Sequence, residues 1–196
     1  MSESASFKET RSLYFEKAGP GNTRQVLEAV ARRADALSIE QVLLPTCSGK
    51  TVLEALELLP AGLRITALTH VTGFREPDHQ ELDGEVRKEL EEKGVTVYTG
   101  QHAFGGVGRA VRNKMSTYQV DEIMANTLRV FGHGTKVAVE LALMASDAGL
   151  VRTDRDVISA GGTMSGIDTA LVLRPANSFR FFDLKVREMI CKPAVF

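Results

Sequence analysis

Short apolar runs alternate with amphipathic stretches along almost the whole chain. Gln41-Val42-Leu43-Leu44-Pro45 is apolar and partly β-branched, and the run is short enough to be a buried strand. Val52, Leu53, Leu56 and Leu59 follow at helical spacing and predict an amphipathic helix. The pattern then repeats. Leu63 to Leu68 is a second core strand, a helix carries Leu82, Val86 and Leu90 on one stripe, and Val95 to Tyr98 is a third strand. Val120, Ile123, Met124 and Leu128 predict another helix, with Ser116 and Gln119 placed as a capping box. A further helix opens near Gly134 and is apolar nearly all round from Val137 to Met144, which predicts deep burial. Asp156 to Ala160 is the fourth sheet strand. Upstream, Leu13-Tyr14-Phe15 is a short strand, Gly19-Pro20-Gly21 a turn, and Asn22 the cap of a helix facing inward through Val26, Val30, Ala34 and Leu37.

Parallel strands need crossover connections, and the chain supplies helices between successive strands. Only Gly161 to Asp168 separates the fourth strand from Thr169-Ala170-Leu171-Val172-Leu173, too short for a crossover helix. The last strand is therefore expected to return antiparallel. No internal repeat or interdomain linker interrupts the pattern. It predicts a single three-layer α/β/α domain over 13–196, preceded by a flexible tail over 1–12.

Composition narrows the functional classes. A chain of 196 residues can bury one sizeable core. Its formal net charge of −1 provides no global field for nucleic acid or anionic lipid, so neither is expected as a partner. No apolar run approaches a membrane-spanning length, and the first residues lack an apolar signal region. Cys47 and Cys191 lie far apart, which fits a reduced, cytoplasmic protein. The four histidines form no His-x-x-x-His pair, so no metal site is expected.

In an open parallel sheet, ligands sit beyond the carboxyl ends of the strands. The unusual clusters of this chain all fall there. Thr46-Cys47-Ser48-Gly49-Lys50-Thr51 joins the first core strand to its helix; free amides, the helix dipole and Lys50 would favour an anion. The alternative is an ordinary turn with Ser48 as helix cap. A nucleotide-triphosphatase loop is rejected, because Leu44 occupies the position of its first glycine. Thr69-His70-Val71-Thr72-Gly73-Phe74 follows the second strand, and Gly100-Gln101-His102-Ala103-Phe104-Gly105-Gly106 the third. Gly161-Gly162-Thr163-Met164-Ser165-Gly166 follows the fourth. Imidazoles work as general acids or bases near neutral pH, which makes His70 and His102 catalytic candidates; both can equally be satisfied loop histidines. His79, among Glu76, Asp78 and Glu81, is a surface residue. Phe131-Gly132-His133-Gly134 is a glycine-flanked helix junction, and Lys136 with Glu140 a structural pair one turn apart.

The loop from Thr46 to Lys50, with the strand leading to Thr69-His70, resembles the effector-site region of the pyruvate kinase C-terminal domain. Gly161-Gly162 through Thr169-Ala170 resembles that domain's last glycine-rich loop and antiparallel strand. The pattern is closer still to small stand-alone proteins of the same fold from archaea and bacteria. It appears in Tyr14-Phe15, Asn22-Thr23, Thr72-Gly73-Phe74, Phe131-Gly132-His133-Gly134 and Asp168-Thr169-Ala170. The resemblance spans roughly residues 13 to 193. It implies a five-stranded mixed sheet of order 3-2-1-4-5 with the last strand antiparallel, so that the first and fourth loops face one crevice. It also implies a phosphorylated small-molecule ligand, flavin mononucleotide (FMN) in the stand-alone relatives, contacted by Asn22, Thr23, the Thr46–Thr51 loop, His70, Thr72, Gly73, Phe74, His102, Gly161, Gly162, Thr163, Ser165 and Gly166. Pyruvate kinase catalysis is not expected, because that chemistry belongs to a barrel domain absent from this sequence. Two alternatives stay open: a small flavin-dependent oxidoreductase using His70 or His102, and a regulatory domain that assembles as a homo-oligomer around a vestigial site.

Overall fold

A computed structural model describes residues 7–196. The strands are β1 (Leu13–Phe15), β2 (Gln41–Pro45), β3 (Arg64–Thr69), β4 (Thr96–Thr99), β5 (Val157–Gly161), β6 (Thr169–Arg174) and β7 (Lys185–Pro193). The helices are α1 (Thr23–Leu37), α2 (Lys50–Leu58), α3 (Gly84–Glu92), α4 (Gly106–Met115), α5 (Val120–Arg129) and α6 (His133–Asp147). All strands join one sheet of order β1-β7-β6-β5-β2-β3-β4. The expected order is present within it as β4-β3-β2-β5-β6, with β6 antiparallel to β5 as its short connection requires. The expectation of five strands is corrected to seven. β7 returns antiparallel beside β6, and β1 lies parallel to β7 at the edge. Residues 1–6 of the expected tail lie outside the described residues.

Side-chain alternation along the strands builds two cores, one on each face. Val42, Leu44, Ile65 and Val172 point towards α1, α2 and α3, meeting Val26, Leu27, Val30, Val52 and Leu90. Leu43, Leu68, Leu171 and Leu173 point the other way, towards Ala138, Ala142 and Leu143 of α6. Burying each such leucine contributes about 1.5–3 kcal/mol. α6 is buried along almost its whole length, as its unbroken apolar pattern predicts.

Local caps depart from expectation. Ser116 has φ 55° and ends α4 instead of opening a capping box, while α5 begins at Val120 without a side-chain cap. Gly49, at φ 82°, holds the cap position of α2, and its N–H donates to Thr46 Oγ1 at 3.0 Å; Ser48 is not the cap. Asn22 stands at the cap position of α1, but its amide donates to the Lys17 carbonyl at 2.8 Å.

Two glycines set how closely α6 approaches the sheet. A Cβ at Gly161 would overlap the carbonyl oxygen of Gly134 and lie 2.9 Å from the Ala138 nitrogen. A Cβ at Gly134 would run into the Thr169 side chain. The α6 N-terminus is thereby drawn down onto the carboxyl end of β5 and the amino end of β6. No helix among the described residues is long and apolar enough to cross a membrane.

Candidate functional site

A crevice with two connected lobes opens beyond the carboxyl ends of β2, β3 and β5. Pro45, Thr46, Cys47, His70, His133 and Val137 line both lobes. The wider lobe has a volume of about 310 Å³ and adds Ser48, Thr51, Gly162, Met164, Ser165 and Gly166. The narrower, about 160 Å³, adds Phe74, His102, Arg109, Arg129, Lys136 and Glu140. The Thr46–Thr51 and Gly161–Gly166 loops therefore do face one another. A larger cavity of about 500 Å³ lies elsewhere, between α4, α5 and Phe181; its lining is mostly apolar, with Asp121 its one charged group.

The wider lobe is built from hydroxyls and backbone. The Val52 N–H donates to the Gly49 carbonyl at 3.0 Å, which leaves the Lys50 and Thr51 amides at the start of α2 without a backbone acceptor, and the helix N-terminus favours negative charge. Thr163, in the Gly161–Gly166 loop but outside the lining of either lobe, has its Oγ1 buried without a hydrogen-bond partner. Lys50 is exposed and outside the lining of either lobe.

The narrower lobe is cationic. Arg109 comes from α4, Arg129 from the end of α5, and His133 and Lys136 from the first turn of α6. Arg109 lies 5.5 Å from the centroid of the Phe74 ring, and its Nε is buried with no partner. Arg129 Nε donates to His133 Nδ1 at 3.4 Å. Burial, together with the charges of Arg129 and Lys136, holds the His133 imidazole below its ordinary value. Burial likewise lowers the Lys136 ammonium, and Glu140 opposes this. Lys136 donates to Glu140 Oε2 within the buried first turns of α6. Glu140 Oε1 accepts the Phe104 N–H at 2.9 Å, and His102 Nδ1 lies 3.6 Å from Oε2. Burial raises the Glu140 carboxyl, but His102 and Lys136 outweigh it and hold the group at about 2.

Above this lobe, Phe74 stacks on His70 with centroids 4.1 Å apart and on His102 at 5.2 Å. Val71 N–H donates to His102 Nε2 at 3.4 Å, which leaves the His102 proton on Nδ1, towards Glu140. Nε2 is thus engaged by a hydrogen bond, while Nδ1 faces the carboxylate. His70 Nδ1 is 2.5 Å from Glu81 Oε2 and 3.5 Å from Cys47 Sγ. Burial and the charge of Glu81 raise the Cys47 thiol, against a smaller effect of Arg75, so it is not an activated nucleophile.

Several expected contact residues lie apart from the lobes. Asn22 and Thr23 organise the chain instead: Thr23 Oγ1 donates to the Pro20 carbonyl at 2.8 Å and accepts the Ile167 N–H at 3.2 Å. Thr72 and Gly73 are exposed beyond Phe74, and Gly161 is taken up by the α6 approach. Arg109 and Arg129 were not anticipated, because a cation on a helix reads as a solvated face until the helices are placed; Glu81 was not, because it sits in a charged loop with Glu76 and Asp78. The His133 junction is both a tight turn, with Gly132 at φ 112°, and a wall of the site. Lys136 and Glu140 form the expected pair, within the lining.

Solved structures of pyruvate kinase from Cryptosporidium parvum are similar at 14% identity over 79% of this chain, with a TM-score of 0.43. The same enzyme in complex with ADP matches at the same identity and TM-score. The chain spans only 23–24% of those enzymes. Residues 24–173 match the family described as pyruvate kinase, alpha/beta domain. With its mixed sheet and strand-end crevice, the chain belongs to the pyruvate kinase alpha/beta domain family.

Proposed function

We propose that the crevice binds a phosphorylated small molecule and that this molecule is FMN. The observation that carries the reading is the convergence of Arg109, Arg129, His133 and Lys136 from three helices onto one lobe. Its single carboxylate, Glu140, is already held by Lys136 and His102. A phosphate there would accept from the guanidinium groups and lie at the α6 N-terminus, whose dipole adds to the attraction. The wider lobe, at about 310 Å³, falls in the size range of small-molecule sites and offers hydroxyls and amides for the rest of the ligand. The reading assigns no pyruvate kinase catalysis to this chain. An oxidoreductase using His70 or His102 is less well supported, since His102 Nε2 accepts the Val71 N–H and His70 Nδ1 is held by Glu81. A homo-oligomerisation role has one observation in its favour: Val107, Met115, Val120 and Ile123 of the α4–α5 region are exposed.

The test compares FMN with riboflavin by thermal shift. Ligand at one hundred times its dissociation constant adds about 2.7 kcal/mol, a rise of about 5–10 °C for a chain of this size. Riboflavin, lacking the phosphate, should give a smaller rise. Arg129→Ala should weaken FMN by about one to two decades, the worth of a charge-assisted hydrogen bond, while Lys50→Ala should change little. Equal shifts from both ligands would remove the phosphate from the reading.

A further inference from the structure

Cys47, His70 and Glu81 come from three separate places in the chain. Cys47 follows β2, His70 follows β3, and Glu81 sits in the segment leading to α3. One ligand atom from each lies within 4.8 Å of the others. The arrangement is not that of a catalytic relay. In a relay the carboxylate holds one imidazole nitrogen and the thiol faces the other. Here Cys47 Sγ is nearer to Nδ1, at 3.5 Å, than to Nε2, at 3.8 Å, and Glu81 Oε2 faces Nδ1 as well. The carboxylate lies against Nδ1, while the thiol, almost equidistant from the two nitrogens, sits over the face of the ring.

We propose that Cys47 Sγ, His70 Nδ1 and Glu81 Oε2 form a three-ligand site for a divalent transition cation, zinc in particular, with its fourth position open to the crevice. Tetrahedral zinc with ordinary bond lengths places sulfur and nitrogen ligands ~3.6 Å apart, a separation already present, although the His70 ring or the Cys47 side chain must turn to bring Sγ from above the ring to the in-plane side of Nδ1. Nitrogen and oxygen ligands would stand ~3.4 Å apart, so Glu81 must withdraw from its hydrogen bond with His70 by roughly 0.9 Å. Its other oxygen is anchored by Arg75 Nε at 2.8 Å, the kind of outer contact that orients a metal-binding carboxylate. The His70 ring is fixed from the opposite side by its stack on Phe74. A thiolate, an imidazole and a carboxylate suit zinc better than magnesium or calcium, which prefer oxygen alone. Binding displaces the thiol proton to solvent, and two anionic ligands then balance the dication. Cys47 and His70 both line the lobes, so water or a ligand oxygen can reach the fourth position. The site is independent of the phosphate reading, whose cations lie on α4, α5 and α6.

The full chain, stripped with a chelator, is titrated with cobalt(II) and with zinc against a chromophoric competitor. One cobalt per chain is expected, with thiolate-to-cobalt charge transfer in the near ultraviolet and the intense visible bands of a four-coordinate ion. Cys47→Ser should abolish the charge transfer. His70→Ala and Glu81→Gln should each weaken zinc by at least about tenfold, the loss seen even for outer-shell partners. His79→Ala, at an exposed position nearby, should leave affinity unchanged. Circular dichroism of each variant establishes that the fold persists. Absence of one-to-one binding would overturn the proposal, as would a charge-transfer band surviving in Cys47→Ser or unchanged zinc affinity in both His70→Ala and Glu81→Gln.

Discussion

Replacing Glu140 with glutamine preserves its shape and removes its charge, which separates two roles of the same side chain. Only 4% of the Glu140 side chain is exposed, and Lys136 and His102 both face it. Its carboxyl lies at about 2 against an ordinary 4.5, which corresponds to about 3 kcal/mol of preference for the charged form. The general cost of breaking a buried pair, about 3–5 kcal/mol, agrees. For a chain of this size the loss corresponds to a fall in Tm of roughly 6–12 °C at pH 7. The depressed carboxyl contributes stability that is complete above pH 4.5 and is lost as the pH falls from there to about 2. Glu140→Gln should therefore flatten that part of the acid limb in a calorimetric pH series. The double variant Lys136→Met with Glu140→Gln should recover much of the loss, because no buried charge is stranded. Anion binding should move the other way: removing the lobe's single carboxylate should tighten a phosphorylated ligand even as the empty protein weakens. A loss below about 1 kcal/mol at pH 7, or an acid limb identical to that of the parent, would refute this account of the charge cluster.

His133, held below its ordinary 6.5 by burial and by Arg129 and Lys136, contributes stability that is complete above pH 6.5 and declines as the pH falls below it. Melting of the ligand-free protein between pH 7 and 5.5 should show this decline, and His133→Gln should lack it. Gly161→Ala should cost about 1–3 kcal/mol or more, because its methyl group meets the α6 backbone, which cannot rotate away; urea unfolding measures it, and a change within 0.5 kcal/mol would mean that α6 sits further from the sheet.

The strand and helix alternation was legible because both faces of the sheet are covered. Strands such as Val157–Gly161 are then buried at every position and apolar but for Ser159, and α6 reads as a continuous apolar helix. The short link between β5 and β6 also fixed their antiparallel pairing. α4 was illegible for the opposite reason: it has no buried residue, and Gly106 and Gly108 break its helical character. β7 was hidden by Lys185, Arg187 and Glu188, which are tolerated because its first half is exposed and only Ile190, Cys191 and Pro193 are buried. Within the site, the glycine and hydroxyl loops were visible as composition. Arg109 and Arg129 were not, since nothing local separates a cation that faces solvent from one that faces a crevice across the fold. The Cys47, His70 and Glu81 trio has no spacing signature at all, as its members meet only when β2 and β3 lie side by side.

β7 bears on where this domain can be divided. The family match ends at residue 173, within β6, yet β7 pairs along that strand and contributes Ile190 and Cys191 to the core. A fragment trimmed to the matched span would leave the outer side of β6 as a row of unpaired amides and carbonyls flanked by Ala170, Leu171 and Val172. Such a long, apolar open edge is a template for strand addition by another copy. The native chain ends its sheet instead on β1, three residues long, and on β4, four residues long, edges too short to propagate. The C-terminal segment thus covers an edge that the matched region alone would leave open.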